Sequence, residues 1–180
     1  MARSVEITYG NALFLAAENE ERLRELLPEA EVILNLWNSS QEALRFVFMP
    51  ELSDTEKLER IEALFPREMP REYRGLFSVL LEKKHFAELP GILECFIGEA
   101  KEALKIGVVS VESAVPLTDA QKQALEEKLI EATSYERLEM DYKTDESLIG
   151  GMRIRIGDRL LDTSLRTKLS ELTEVRGRGW

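Results

Sequence analysis

Cysteine and histidine, which carry much of nucleophilic and metal chemistry, each occur once in this 180-residue chain, as Cys95 and His85. A single cysteine excludes an intramolecular disulfide and suits a reducing compartment. Flanked by Leu93, Phe96 and Ile97, Cys95 reads as a buried, inert thiol. His85 sits in Glu-Lys-Lys-His-Phe, between two helical stripes, and reads as a surface or boundary residue. A zinc site would have to be built mostly from carboxylates, against the usual donor set, so no metal ligand is assigned. There is no Gly-x-Ser-x-Gly elbow for an activated serine. Gly150, Gly151 and Gly157 do not make a phosphate loop either, because Asp158 stands where such a loop needs lysine. No catalytic residue and no cofactor is expected.

Long apolar runs are also missing. None approaches the ~18 residues that a membrane span needs. The N-terminus, Met-Ala-Arg-Ser-Val-Glu-Ile, has no signal-peptide core, and Glu6, Glu18, Glu20 and Glu21 make it too acidic for a transit peptide. A net charge of −10 argues against unaided binding to nucleic acid or anionic lipid. Membrane association is therefore expected to be indirect, through a partner. With 44% hydrophobic and 32% charged residues, the composition is that of an ordinary soluble domain.

What is present is helical periodicity, up to about residue 105. Tyr9, Ala12, Leu13, Ala16 and Ala17 form a first stripe. Leu23, Leu26, Leu27, Ala30, Ile33, Leu34 and Trp37 form a second, in which Pro28 predicts a kink or two abutting helices. Ser39 with Glu42, and Ser53 with Glu56, have capping-box spacing. They introduce a third helix around Ala43, Leu44, Phe46 and Val47 and a fourth around Leu58, Ile61, Leu64 and Phe65. Tyr73, Leu76, Phe77 and Leu80 mark a fifth. Phe86, Leu89, Leu93, Phe96, Ile97, Ala100 and Leu104 mark a sixth. Six short helices with brief connections predict a compact bundle.

The pattern changes at Gly107. Val108, Val109, Val111 and Ala114 predict a strand ending at Pro116. Thr118 with Gln121 then caps a helix carrying Ala124, Leu125, Leu129 and Ala132. Tyr135 to Tyr142 alternate around Leu138 and Met140. Met152, Ile154 and Ile156 alternate with Arg153 and Arg155, predicting a strand with one apolar and one basic face. Gly157-Asp158 predicts a hairpin turn, Arg159 to Leu161 the return strand, and Leu165, Leu169 and Leu172 a final helix. The fold expected is α+β: a six-helix bundle over residues 1–105 and a small α/β domain over 106–180, joined near Lys105.

Two helices are unusually apolar. Leu13 to Ala17 are consecutive apolar residues, and Leu76, Phe77, Val79, Leu80 and Leu81 crowd one short stretch. Such helices are buried all round or expose a groove that receives another helix. Arg153, Arg155 and Arg159 lack the interleaved aromatics of a nucleic-acid surface and suit an exposed strand face or a contact for an acidic helix.

Several segments resemble, in order, the delta subunit of F-type ATP synthases, called OSCP in mitochondria. Tyr9-Gly-Asn-Ala-Leu-Phe resembles the family's Tyr-Ala-x-Ala-Leu first-helix motif, with Gly10 in place of alanine. Leu76 to Pro90 resembles the junction of its fifth and sixth helices, with Lys84-His85 where Gly-Arg is common. Val111 to Thr118 resembles its Val-x-Ser-Ala-x-Pro-Leu motif. Asp145 to Leu169 is the most specific match, departing at Thr163 where glycine is common. The resemblance implies a non-catalytic stator subunit that links the alpha subunits of the catalytic head to the b subunits of the peripheral stalk. It implies a groove, mainly between the first and fifth helices, that receives N-terminal helical segments of the alpha subunits. Tyr9, Leu13, Leu26, Leu76, Val79 and Leu80 are the positions carried over. For the b subunits, Arg153, Arg155, Leu165, Leu169 and Leu172 are the positions suggested. The expected location is the cytoplasmic face of the bacterial inner membrane, held there through the complex. A generic helical adaptor for some other amphipathic helix is the competing expectation.

Overall fold

The computed structural model describes residues 2–17, 19–39, 45–64, 68–157 and 159–163. The protein is α+β, and its chain divides into two compact units, Met1–Leu104 and Lys105–Trp180.

In the first unit, α1 spans Ala2–Ala16, α2 Glu20–Ser39, α3 Asp54–Glu62, α4 Arg71–Glu82 and α5 Leu89–Ala103. The Ser53/Glu56 capping box starts α3: the Ser53 hydroxyl accepts from the Glu56 amide, and the Glu56 carboxylate accepts from the Ser53 amide at 2.9 Å. Two amides that the first helical turn leaves without partners are thereby satisfied. Pro28 lies inside α2, which continues through it as one helix rather than two. Leu23, Leu26, Leu27, Ala30 and Ile33 on both sides of the proline are buried, and the helix lies along α5. Packing of both halves on one neighbour outweighs the hydrogen bond that proline removes. Ser40 to Leu44, on which the third expected helix falls, lie outside the described residues. Arg45–Phe48, which follow, form a 3-10 turn.

The core of this unit centres on α5, against which α1 and α2 both pack. Leu26, Tyr73, Phe77, Leu80, Leu89, Ile92, Leu93 and Phe96 are completely or almost completely removed from solvent. Each such side chain contributes roughly 1.5–3 kcal/mol of transfer free energy. Tyr73 keeps its polar tip satisfied by donating to the Leu26 carbonyl at 2.6 Å.

In the second unit, β1 spans Ile106–Ser113, α6 Asp119–Ala132, β2 Arg137–Thr144, β3 Met152–Ile156 and β4 Arg159–Asp162. The strand order is β2-β1-β3-β4. β1 and β2 pair in parallel, so they require the crossover that α6 supplies. The other two pairings are antiparallel. A Thr118/Gln121 capping box starts α6. Val109, Val111, Leu138 and Ile154 form the buried centre, and Leu125 and Leu129 of α6 pack on it. Gly157, at φ +53°, begins the β3–β4 turn, a conformation that glycine adopts without steric cost. The final helix expected around Leu165, Leu169 and Leu172 lies outside the described residues. Among the described residues, no helix is long and apolar enough to cross a membrane.

Candidate partner-binding surfaces

α1 and α4 lie side by side in opposite directions. The Tyr9 ring, in the middle of α1, is centred 6.4 Å from the ring of His85, just beyond the C-terminus of α4. At the other end, Arg22, close after α1, grips Glu72 in the first turn of α4. Of the six positions implied for the alpha-subunit groove, Leu13, Leu26, Leu76 and Leu80 are buried and Tyr9 is half-buried. Only Val79 is exposed, at 38%. Leu26 and Leu80 are completely removed from solvent, while Leu13 on α1 and Leu76 on α4 keep a small exposed edge, at 3% and 8%.

The helical period shows what flanks Leu13 and Leu76. Ala12 and Ala16 neighbour Leu13 on the exposed side of α1, and Gly75 precedes Val79 by one turn on α4. All three are exposed, and a Cβ placed on Gly75 would find no atom within 4 Å. Leu15 lies further out, with 74% of its surface in water. A face of small side chains bordered by exposed Val79 and Leu15 lets another helix approach closely and bury apolar surface. Gly75 was not among the positions singled out from the sequence. Its signal was available: a glycine inside an otherwise apolar helix, on the side away from Leu76 and Leu80.

The Glu72 carboxylate holds the N-terminal end of this face. Its side chain is 3% exposed, and its two oxygens receive Arg22 Nε at 3.0 Å and Nη2 at 2.6 Å. The fork of two charge-assisted bonds holds Glu72 well below the usual carboxylate range, at about 2. Tyr73, next to it, is pushed upward by burial and by the nearby Glu29 and Glu72 charges, so it stays a neutral donor. Cys95 is half-buried, and its thiol is also raised by burial, then by Glu99 and Glu6. It therefore has little thiolate character.

In the second unit, α6 packs on one face of the sheet. β3 has the expected apolar and basic sides, but across the whole sheet the opposite face is charge-balanced. By register and alternation, Arg137, Lys143, Arg153 and Arg155 share it with Glu112, Glu139, Asp141 and Asp162. Arg153 is bound to Glu112 at 3.2 Å and Asp162 at 3.3 Å, while Arg155 is exposed. A balanced face of this kind offers a nucleic-acid backbone no net attraction. Leu165, Leu169 and Leu172, the other positions suggested for the stalk, lie outside the described residues. Among the described residues no group of three or more His, Cys, Asp or Glu side chains is placed to hold a metal ion.

An exposed face of small side chains on one unit and a charge-balanced sheet face on the other suit a protein that joins other proteins. The family model for the ATP synthase delta (OSCP) subunit matches residues 5–175. The ATP synthase subunit delta of Lachnoclostridium phytofermentans is 34% identical over 174 residues, covering 97% of this chain and 96% of that one. The same subunit from Prochlorococcus marinus is 30% identical over 172 residues, covering 96% of each chain. A chain in the solved structure of the Toxoplasma gondii mitochondrial ATP synthase hexamer has the same fold, with a TM-score of 0.70 at 21% identity over 97% of this chain and 98% of that one. The chain belongs to the ATP synthase delta (OSCP) subunit family. It is accordingly a structural, non-catalytic stator subunit of the F-type ATP synthase.

Proposed function

We propose that the N-terminal unit, residues 1–105, is the bundle that holds the catalytic head, and that residues 106–180 hold the peripheral stalk. In this reading the face between α1 and α4 takes an N-terminal helix of an alpha subunit. Tyr9, Leu13, Leu76 and Val79 lie at the contact, and Leu26 and Leu80 support it from below. The C-terminal unit takes the C-terminal ends of the b subunits through Arg153, Arg155, Leu165, Leu169 and Leu172. The observation that carries the first half is exposed Gly75 beside exposed Val79 on α4. No side chain stands above Gly75, so another helix can approach the backbone closely there.

Rotation of the central shaft would carry the head round unless something fixed retained it. Such a joint needs a long-lived interface, not chemistry, and roughly 1,200–2,000 Å² of buried surface is typical of a stable one. The subunit sits at the membrane only through the complex, on the cytoplasmic face of a bacterial inner membrane. Titration of the full chain with a peptide from the N-terminus of the cognate alpha subunit tests the joint. Saturable binding that Val79→Asp weakens, in a variant that remains folded, supports it, since a charge would be buried without a partner. Equal affinity of the two proteins would remove α1 and α4 as the docking face.

A further inference from the structure

Three non-glycine residues among those described have positive φ: Lys84, Lys105 and Ile149. Ile149 is the β-branched one, at φ +65° and ψ −34°. A branched Cβ crowds the backbone at positive φ, and ψ −34° also lies outside the left-handed helical basin, a conformation that glycine tolerates far better. The loop around it is firmly held. Asp145 Oδ1 accepts from the Ser147 amide at 2.9 Å, the Ile149 amide donates to the Glu146 carbonyl at 3.1 Å, and Leu148 is completely buried. At its two ends, the Asp145 amide donates to the Ser113 carbonyl, and the Gly151 carbonyl accepts from the Ala114 amide. The loop is thus fastened to the exit of β1.

This framework leaves the Ile149 side chain 67% exposed. It therefore recovers little by burial within the chain for the strain it imposes. Val115, which follows the same exit of β1, is 68% exposed. Strain at a surface position with no packing gain points to a contact outside the chain.

We infer that Ile149, with Val115 next to the Ala114 that bonds Gly151, is the apolar anchor by which the C-terminal unit holds its stalk partner. The partner element is an amphipathic helix whose apolar residue is flanked by lysine or arginine. Its basic character follows from Asp145 and exposed Glu146, which precede the anchor in the same loop, in a chain of net charge −10. The inference rests on the reading that the C-terminal unit engages the b subunits.

The test uses the full chain and a soluble form of the cognate b subunit without its membrane segment. Ile149→Asn removes the branched Cβ and the apolar surface. It should leave the melting temperature unchanged or raised while weakening binding by at least about tenfold. Ile149→Leu, which keeps the apolar surface, should bind far better than Ile149→Asn. Glu146→Lys should weaken binding at low salt and much less at high salt. Wild-type affinity in Ile149→Asn would overturn the anchor, and so would a lowered melting temperature, because the side chain would then serve the chain's own packing. Salt-independent, undiminished binding by Glu146→Lys would overturn the basic partner. If the wild-type protein itself fails to bind the b subunit, the stalk-binding reading falls, and this inference falls with it.

Discussion

Gly10 of α1 and Cys95 of α5 mark the place where the two helices touch. A Cβ on residue 10 would lie 2.8 Å from Cys95 Cβ, 2.9 Å from its Sγ and 3.1 Å from the Ile92 carbonyl oxygen. Glycine inside a helix is worth roughly 1 kcal/mol less than alanine. Here the loss is offset by an approach that any side chain would block.

Gly10→Ala is accordingly expected to destabilise the protein, despite alanine's better helix propensity. Overpacking of this kind typically costs about 1–3 kcal/mol. Cys95→Ala in the same chain should rescue it only in part, because the Cβ of residue 95 is itself too close. Urea unfolding of the two single variants and the double variant gives the sign and the coupling.

The Arg22–Glu72 pair predicts an acid limb. Glu72 has a folded pKa of about 2, below its ordinary value near 4.5. Its stabilisation is therefore fully present above pH 4.5 and is lost as pH falls from there through about 2. Arg22→Met should weaken the protein at neutral pH by about 3 kcal/mol, the low end for a broken buried pair, since Arg22 is 31% exposed. It should also flatten the decline of melting temperature with acidification between pH 4.5 and 2. A decline as steep as that of the wild type would mean that other carboxylates dominate.

Lys84 predicts a gain. It holds φ +59° just after α4, with the His85 amide donating to the Leu80 carbonyl at 2.8 Å and the Lys84 amide to the Leu81 carbonyl at 3.1 Å. That is a left-handed helix ending of the kind glycine favours. Lys84→Gly should raise stability by up to about 1 kcal/mol, with no change in partner binding. A lower melting temperature would show that the lysine side chain is needed there.

Gly75 separates folding from docking. Gly75→Ala should stabilise α4 by up to roughly 1 kcal/mol. Gly75→Leu should also fold, since the space above the position is empty, yet it should abolish or sharply weaken binding of the alpha-subunit peptide. A Gly75→Leu protein that binds as well as wild type would move the docking face elsewhere.

Local signals were readable from the sequence because their partners lie within a few residues. The capping boxes at Ser53 and Thr118 each need a glutamate or glutamine three positions on, and both form. The alternation of Met152, Ile154 and Ile156 likewise reported which side of β3 faces inward. Contacts between distant segments were not readable. Gly10 reads from the sequence only as a departure from the family's alanine, because Cys95 is far away in sequence. The acidic partners of Arg153 were not readable, because Glu112 and Asp162 reach it only across neighbouring strands. Leu26 and Leu80 share a helical stripe with residues nearer the surface, and periodicity does not distinguish the base of a groove from its wall.

β1 begins at Ile106, with only Leu104 and Lys105 between it and the end of α5 at Ala103, and it is bonded on both sides, to β2 and to β3. A mechanical load passing along the chain from one unit to the other thus enters the sheet through an interior strand. Because ladder hydrogen bonds run across the strands, a pull along β1 shears many of them at once instead of unzipping them in turn. The molecule meets traction with a strand bonded along both edges, as suits a part that must yield little while a motor turns beside it.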